Sequence, residues 1–229
     1  VFNFSGNVGK SNTTHFLLRP RIEGSVHVAV ETVNSDVTES EGVILLKGRD
    51  FIAIQEEMQL NDRVIFDIGS SNAEEFLKGM SLYAGSIDDF DLFVIPATPD
   101  EKSKRDTITS VDTLIEMGVS ANKIKVVFNR LPVDTEFDAA FGDLYSYLKT
   151  TKIKVPKHYI QESPFYATAS KLGLTAEEII ADKTDYKALR RAEPDREKQL
   201  DYIAKLMTSR LAIAVKERLD LVAKEVLSG

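Results

Sequence analysis

Apolar and polar residues fall along this chain in blocks whose periods separate strands from helices. Val1-Phe2-Asn3-Phe4 alternates and predicts a short strand, and a helical pattern follows over about residues 12–21. Val26-His27-Val28-Ala29-Val30 is a β-branched run suited to a strand buried on both faces. Val43-Ile44-Leu45-Leu46 predicts the next strand and residues 51–60 a short helix. Arg63-Val64-Ile65-Phe66-Asp67-Ile68-Gly69 is a strand that closes on an acid and a glycine. Ser70-Ser71-Asn72 then caps a helix over about residues 73–84, with Glu74 and Glu75 in its first turn. Residues 90–99 form a strand stopped by proline, 100–117 a helix ended by Gly118, 124–130 a strand, 137–148 a helix, and 153–156 a last strand ending at Pro156. This alternation predicts an α/β fold, a doubly wound and mostly parallel sheet flanked by helices.

From Ser163 the pattern is helical. Gly173 stops one helix and Thr175 starts the next. A long final helix, residues 195–227, sets Ile203, Leu206, Met207, Leu211, Ala214, Val215, Leu219, Val222 and Val226 at spacings of three and four. Packing on the sheet is the plain use of that face and a dimer contact the alternative. A membrane-surface helix fits less well, because Glu217, Asp220 and Glu225 interrupt the basic residues. The expectation is one domain over residues 1–229, with a helical segment from about 163 packed on it.

Composition narrows the function classes. At 229 residues and 43% hydrophobic the chain can bury a sizeable core. It has no cysteine, so disulfides and thiolate metal sites are excluded, and its three histidines lack metal-ligand spacing. Without an eighteen-residue apolar run or a signal-peptide pattern, a soluble cytoplasmic protein is expected. With a start at Val1 rather than Met, a few residues are expected to be missing from the first strand. The net charge of −7 disfavours direct DNA binding unless basic residues cluster. Lys187, Arg190, Arg191, Arg196 and Lys198 form the densest basic stretch, and its plain reading is a solvated segment between helices.

The chemistry centres on Gly6-Asn7-Val8-Gly9-Lys10-Ser11, between the first strand and first helix. Strand, glycine turn and helix form the context of a phosphate-binding loop, where turn amides and the helix dipole favour an anion. Lys10 would place an ammonium on the phosphates and Ser11 a hydroxyl on Mg²⁺. The bland alternative is a Gly-Lys-Ser turn capping an ordinary helix. The full pattern G-x-x-x-x-G-K-[ST] fails at Phe4; the spacing instead resembles the deviant Walker A loop, K-G-G-V-G-K-[ST], of the ParA/MinD ATPases. The family's signature lysine falls on Ser5 and its second glycine on Asn7.

That resemblance covers about residues 1–174. It implies an ATP-binding protein with residues Gly6 to Asn12 (Gly6, Asn7, Val8, Gly9, Lys10, Ser11 and Asn12) around the phosphates. Ser11 and, through water, Asp67 would hold Mg²⁺, and Lys10 and Asp67 would be the catalytic pair. Asn129 would read the adenine edge, for which an amide offers a donor and an acceptor, and Pro156 would lie against the base. Glu31 stands where the family has the first acid of its D-x-D segment. The second acid's register holds Val33 or Asn34, neither a base, and nothing assigns that role to Glu31 or Asp36. Within the family the chain is most similar to the plasmid-stability ATPases of conjugative plasmids. The similarity implies a slow ATPase switch cycling between ATP and ADP, a homodimer, and a DNA-binding partner protein from the same operon. With Ser5 in the signature position, ATP-driven dimerisation should be weak. Two other readings are open: a degenerate loop on a protein-interaction scaffold with little or no hydrolysis, and a small-metabolite kinase using Arg190 and Arg191 as a lid.

Overall fold

The computed structural model describes residues 1–31, 43–47 and 50–228. Five parallel strands are present among them: β1 Val26–Val30, β2 Val43–Leu46, β3 Val64–Ile68, β4 Phe93–Ala97 and β5 Ile124–Phe128. They pair as β2-β1-β3 and as β4-β5. Residues 1–4 join the two groups. Val1 N donates to Phe66 O (2.6 Å) and Val1 O accepts from Ile68 N (2.9 Å), while Phe2 N donates to Val94 O on the other side (3.0 Å). The alternating run at the chain start therefore lies between β3 and β4, with both edges used. Beyond β5, Ile160 N donates to Phe128 O (2.8 Å) and Leu131 forms a parallel bridge with Gln161.

The helices are α1 Lys10–Asn12, α2 Phe51–Leu60, α3 Ala73–Leu82, α4 Glu101–Glu116, α5 Phe137–Thr150, α6 Pro164–Leu172, α7 Ala176–Ala181, α8 Tyr186–Ala192 and α9 Arg196–Leu227. Backbone contacts gather the chain into two compact units, residues 1–162 with 222–229, and residues 163–221. The first unit holds the sheet. Strands β1, β3, β4 and β5 are buried nearly end to end, as parallel strands covered on both faces must be, whereas β2 at the edge is only partly buried. Its core is rich in aromatic rings. Phe76 of α3 meets Phe90 edge-on at 5.6 Å, and Phe141 of α5 meets Phe128 at 4.9 Å. In the second unit, Gly173 ends α6 in a left-handed conformation and Thr175 opens α7 with a capping box to Glu178.

Three expectations need correction. The helix after the loop is only briefly α-helical, because it widens to a π-helix over Thr13–Leu18 and tightens to a 3₁₀ turn over Arg19–Arg21. Pro20 has no N–H to give to the preceding turn. Instead, the Arg21 guanidinium donates to Phe16 O and Leu17 O, both at 3.0 Å. Residues 153–156 are not a strand; the segment that pairs with the end of β5 lies several residues later. On α9 the buried residues are Thr208, Ala212, Leu219, Val222, Ala223 and Val226, whereas Met207 and Leu211 are exposed. The apolar spacing of three and four holds, but the buried face is rotated toward smaller side chains.

Candidate functional site

The ends of β1, β3, β4 and β5 and the loop after residues 1–4 converge on one edge of the sheet. The loop's shape comes from two left-handed residues, Asn7 (φ 59°) and Gly9 (φ 85°), with Lys10 starting α1 directly behind them. Alternating handedness of this kind turns successive N–H groups toward one side. Gly6, Asn7 and Ser11 are exposed, and Lys10 is buried.

Lys10 Nζ curls back into its own loop, donating to Ser5 O (2.8 Å) and Asn3 O (3.4 Å). Asn3 is fully buried and braces the loop's base. Its Nδ2 donates to Pro96 O (2.9 Å) and Thr107 Oγ1 (2.8 Å), and its Oδ1 accepts from Ser5 N (2.8 Å). Thr13 closes the first helical turn, both its N and its Oγ1 donating to Gly9 O.

Asp67 sits buried near the end of β3, in register with Ala29 of β1. Glu31 follows β1, and its carboxylate occupies the space beside Gly69. A Cβ on Gly69 would lie 2.4 Å from Glu31 Oε2, so a larger residue there would evict the acid. Lys10, Glu31 and Asp67 act on one another electrostatically. Burial pushes the Lys10 ammonium below its ordinary pKa of 10.5, Asp67 and Glu31 oppose this, and Lys102 reinforces it. Burial and then Asp67 lift the Glu31 carboxyl above its ordinary 4.5, against Lys10. Val33, Asn34 and Asp36 lie outside the described residues.

Asn129, at the end of β5, is brought to the loop. Its Nδ2 donates to Val8 O (2.8 Å) and its Oδ1 accepts from Arg130 N (2.9 Å). The packing is close enough that a Cβ on Gly9 would lie 2.3 Å from Asn129 Nδ2. Pro156 is not brought there. It shares a small recess with Lys125 and Val126, early in β5, and with Glu225 and Val226 of α9. From there the chain needs residues 157–160, about 13 Å of extended backbone, to reach the end of β5. Ile160 and Gln161 make the pairing next to the end of β5.

Two cations near the loop had no signal in the motif. Arg130 directly follows Asn129, and its Nε lies 3.8 Å from where a Gly9 Cβ would be. Lys102 Nζ reaches Ser5 Oγ at 3.5 Å from the first turn of α4. The signal that could have found Lys102 is Thr98-Pro99-Asp100, a strand stop and helix N-cap that sets residues 101–104 at the same sheet edge. Among the described residues no group of three or more acidic or histidine side chains is arranged to hold a metal by itself. A cation at Ser11 would therefore draw ligands from its anion and from water. The left-handed loop, the buried ammonium and the reachable Ser11 fit a magnesium-bound polyphosphate. No helix among the described residues is long and apolar enough to cross a membrane.

No protein-family model matches the chain, and no curated protein matches it. Solved structures do. The apo form of McdA from Cyanothece superposes over 99% of this chain and 97% of its own, at 14% identity and a TM-score of 0.57. The ATP complex of an aspartate-to-alanine variant of Cyanothece McdA aligns over 94% and 95% of the two chains, at 16% identity and a TM-score of 0.50. This likeness establishes a shared α/β fold over nearly the full length.

Proposed function

We propose that this chain is an ATP-binding protein of the ParA/MinD kind, a nucleotide-dependent switch with slow ATP hydrolysis. One observation carries the reading. At the carboxyl edge of a parallel sheet, a loop with left-handed Asn7 and Gly9 encloses the buried Lys10 ammonium beside the Asp67 strand. Solved McdA structures, one of them an ATP complex, share the fold and support the same choice of ligand.

Lys10 would exchange its bonds to Ser5 O and Asn3 O for phosphate oxygens, which charge-assisted bonds favour. Ser11 and, through water, Asp67 would hold Mg²⁺, which neutralises phosphate charge. Asn129 would meet the adenine edge with the amide hydrogen not used on Val8 O. For hydrolysis the chain's residues position and neutralise rather than form bonds. Motif resemblance further supports a StbB-type role in plasmid stability, partition or conjugation. A homodimer and a DNA-binding partner from the same operon belong to that role. Sedimentation with a non-hydrolysable ATP analogue should show weak self-association; a tight nucleotide-dependent dimer would overturn that expectation.

The scaffold reading retains one favourable observation. Lys10 Nζ is already bonded to Ser5 O and Asn3 O, so a nucleotide must displace contacts the chain makes for itself. Calorimetry with MgATP on the native chain and on Lys10→Ala, followed by phosphate release, separates the two. Binding lost in Lys10→Ala, with slow release by the native chain, is expected. Absence of binding in both would leave the scaffold.

A further inference from the structure

Ser5 collects two ammonium groups. Lys10 Nζ bonds its carbonyl at 2.8 Å, and Lys102 Nζ reaches its hydroxyl at 3.5 Å across 97 residues of sequence. We propose that Lys102 is a second phosphate-binding cation of this loop, supplying from α4 the charge that Ser5, in the signature position, does not. The inference rests on the reading that the loop binds nucleotide phosphate.

The backbone of Lys102 is fixed by its surroundings. Asp100 caps α4 by accepting from Ser103 N (2.9 Å), Thr98 Oγ1 donates to Asp100 Oδ2 (2.7 Å), and Ser103 Oγ accepts from Thr98 N (2.9 Å). This ties the first turn of α4 to the end of β4, the strand that pairs with residues 1–4. The side chain beyond that anchor is 69% exposed, so its ammonium is open to a solute. Its other partner is Asp106, at 2.6 Å. Exposed pairs of this i,i+4 type hold little free energy, so a phosphate competes for Lys102 readily. The two lysines are also near enough to feel each other, since Lys102 helps to hold the Lys10 pKa down. Like charges held on one residue repel, and an anion bound against both relieves that repulsion.

A purely structural Lys102–Asp106 pair predicts no change in nucleotide binding when either partner is altered. The proposal predicts opposite changes. In MgATP titrations of the full chain, Lys102→Ala should weaken binding about tenfold, the loss of roughly one charge-assisted contact, and reduce its salt dependence. Lys102→Arg should largely restore both. Asp106→Asn, which frees the ammonium, should tighten binding. Circular dichroism checks that each variant is folded. If the native chain binds MgATP and Lys102→Ala binds equally well, Lys102 has no such role while the nucleotide reading stands. If the native chain does not bind MgATP, the nucleotide reading falls and this inference with it.

Discussion

Gly9→Ala places a methyl group where the loop has no room and the backbone has no tolerance for one. At φ 85°, a residue with a Cβ is strained by about 1–2 kcal/mol. The new Cβ would also stand 2.3 Å from Asn129 Nδ2. Asn129 cannot swing away freely, because it is buried and both ends of its amide are bonded, to Val8 O and to Arg130 N. Moving it strands the Val8 carbonyl, at about 1–3 kcal/mol. Gly9→Ala should therefore cost about 2–5 kcal/mol in total. Backbone strain and collision can be told apart. In an Asn129→Ala background the clash with the amide is gone and Arg130 Nε, at 3.8 Å, is an ordinary contact, so Gly9→Ala should cost only the strain. Urea unfolding of the native chain, the two single variants and the double variant gives the coupling, expected at about 1–3 kcal/mol. A coupling within about 0.5 kcal/mol of zero would refute the claim that Asn129 and Gly9 are packed as one unit.

Asn3→Ala should cost about 2–4 kcal/mol, since it removes three hydrogen bonds at a fully buried side chain and leaves Ser5 N and Pro96 O unpaired; a loss below about 1 kcal/mol in denaturant unfolding would show that water replaces it. Glu225→Ala should cost about 1–3 kcal/mol, because Glu225 Oε2 accepts from Lys157 N (2.9 Å) and His158 N (3.1 Å) and its Oε1 lies 3.0 Å from His158 Nδ1. Glu225→Gln, which keeps an acceptor, should recover most of that loss in the same assay, and failure to do so would assign the effect to charge instead.

The sheet was legible because each buried strand is a mostly apolar run, broken at most by one polar residue (His27, Asp67 or Lys125), between turn residues, so the period and the punctuation agree at Val26, Val64, Phe93 and Ile124. The loop was legible because Gly9-Lys10-Ser11 follows a strand at once. What escaped depends on contacts distant in sequence. Thr98-Pro99-Asp100 sets Lys102 at the sheet edge, but its pairing with Ser5 is not written locally, and nothing local to Asn129 points to Val8 O. A strand over residues 153–156 is absent because an apolar triplet before a proline only resembles a strand end, whereas the pairing with β5 is made several residues later by Ile160 and Gln161. The π-helix was hidden because the apolar pattern of residues 12–21 serves a wider helix equally well; only Pro20 and Arg21, read together, disclose where its carbonyls go.

The two acids at the sheet edge give the site a pH signature that the mutations above do not test. Glu31 is lifted above its ordinary 4.5 first by burial and then by Asp67, with Lys10 pulling the other way. A carboxyl raised in the folded state favours folding while protonated. Its contribution is thus complete below pH 4.5 and is lost as the pH rises through the folded-state value. Glu31→Gln, which stays neutral, removes this dependence. His27 acts in a neighbouring range, since burial lowers its pKa from 6.5 and the folded state loses stability as the pH falls through that region. His27 is common to both proteins, so the difference between native and Glu31→Gln isolates the acid. Unfolding free energies measured from about pH 4 upward should show the native chain losing stability relative to Glu31→Gln above pH 4.5 and holding level below it. Adding Lys10→Met removes the cation that opposes the shift, and should move the loss to higher pH. Parallel profiles for native and Glu31→Gln would mean that Glu31 titrates as it does in the unfolded chain, and that neither burial nor Asp67 acts on its carboxyl.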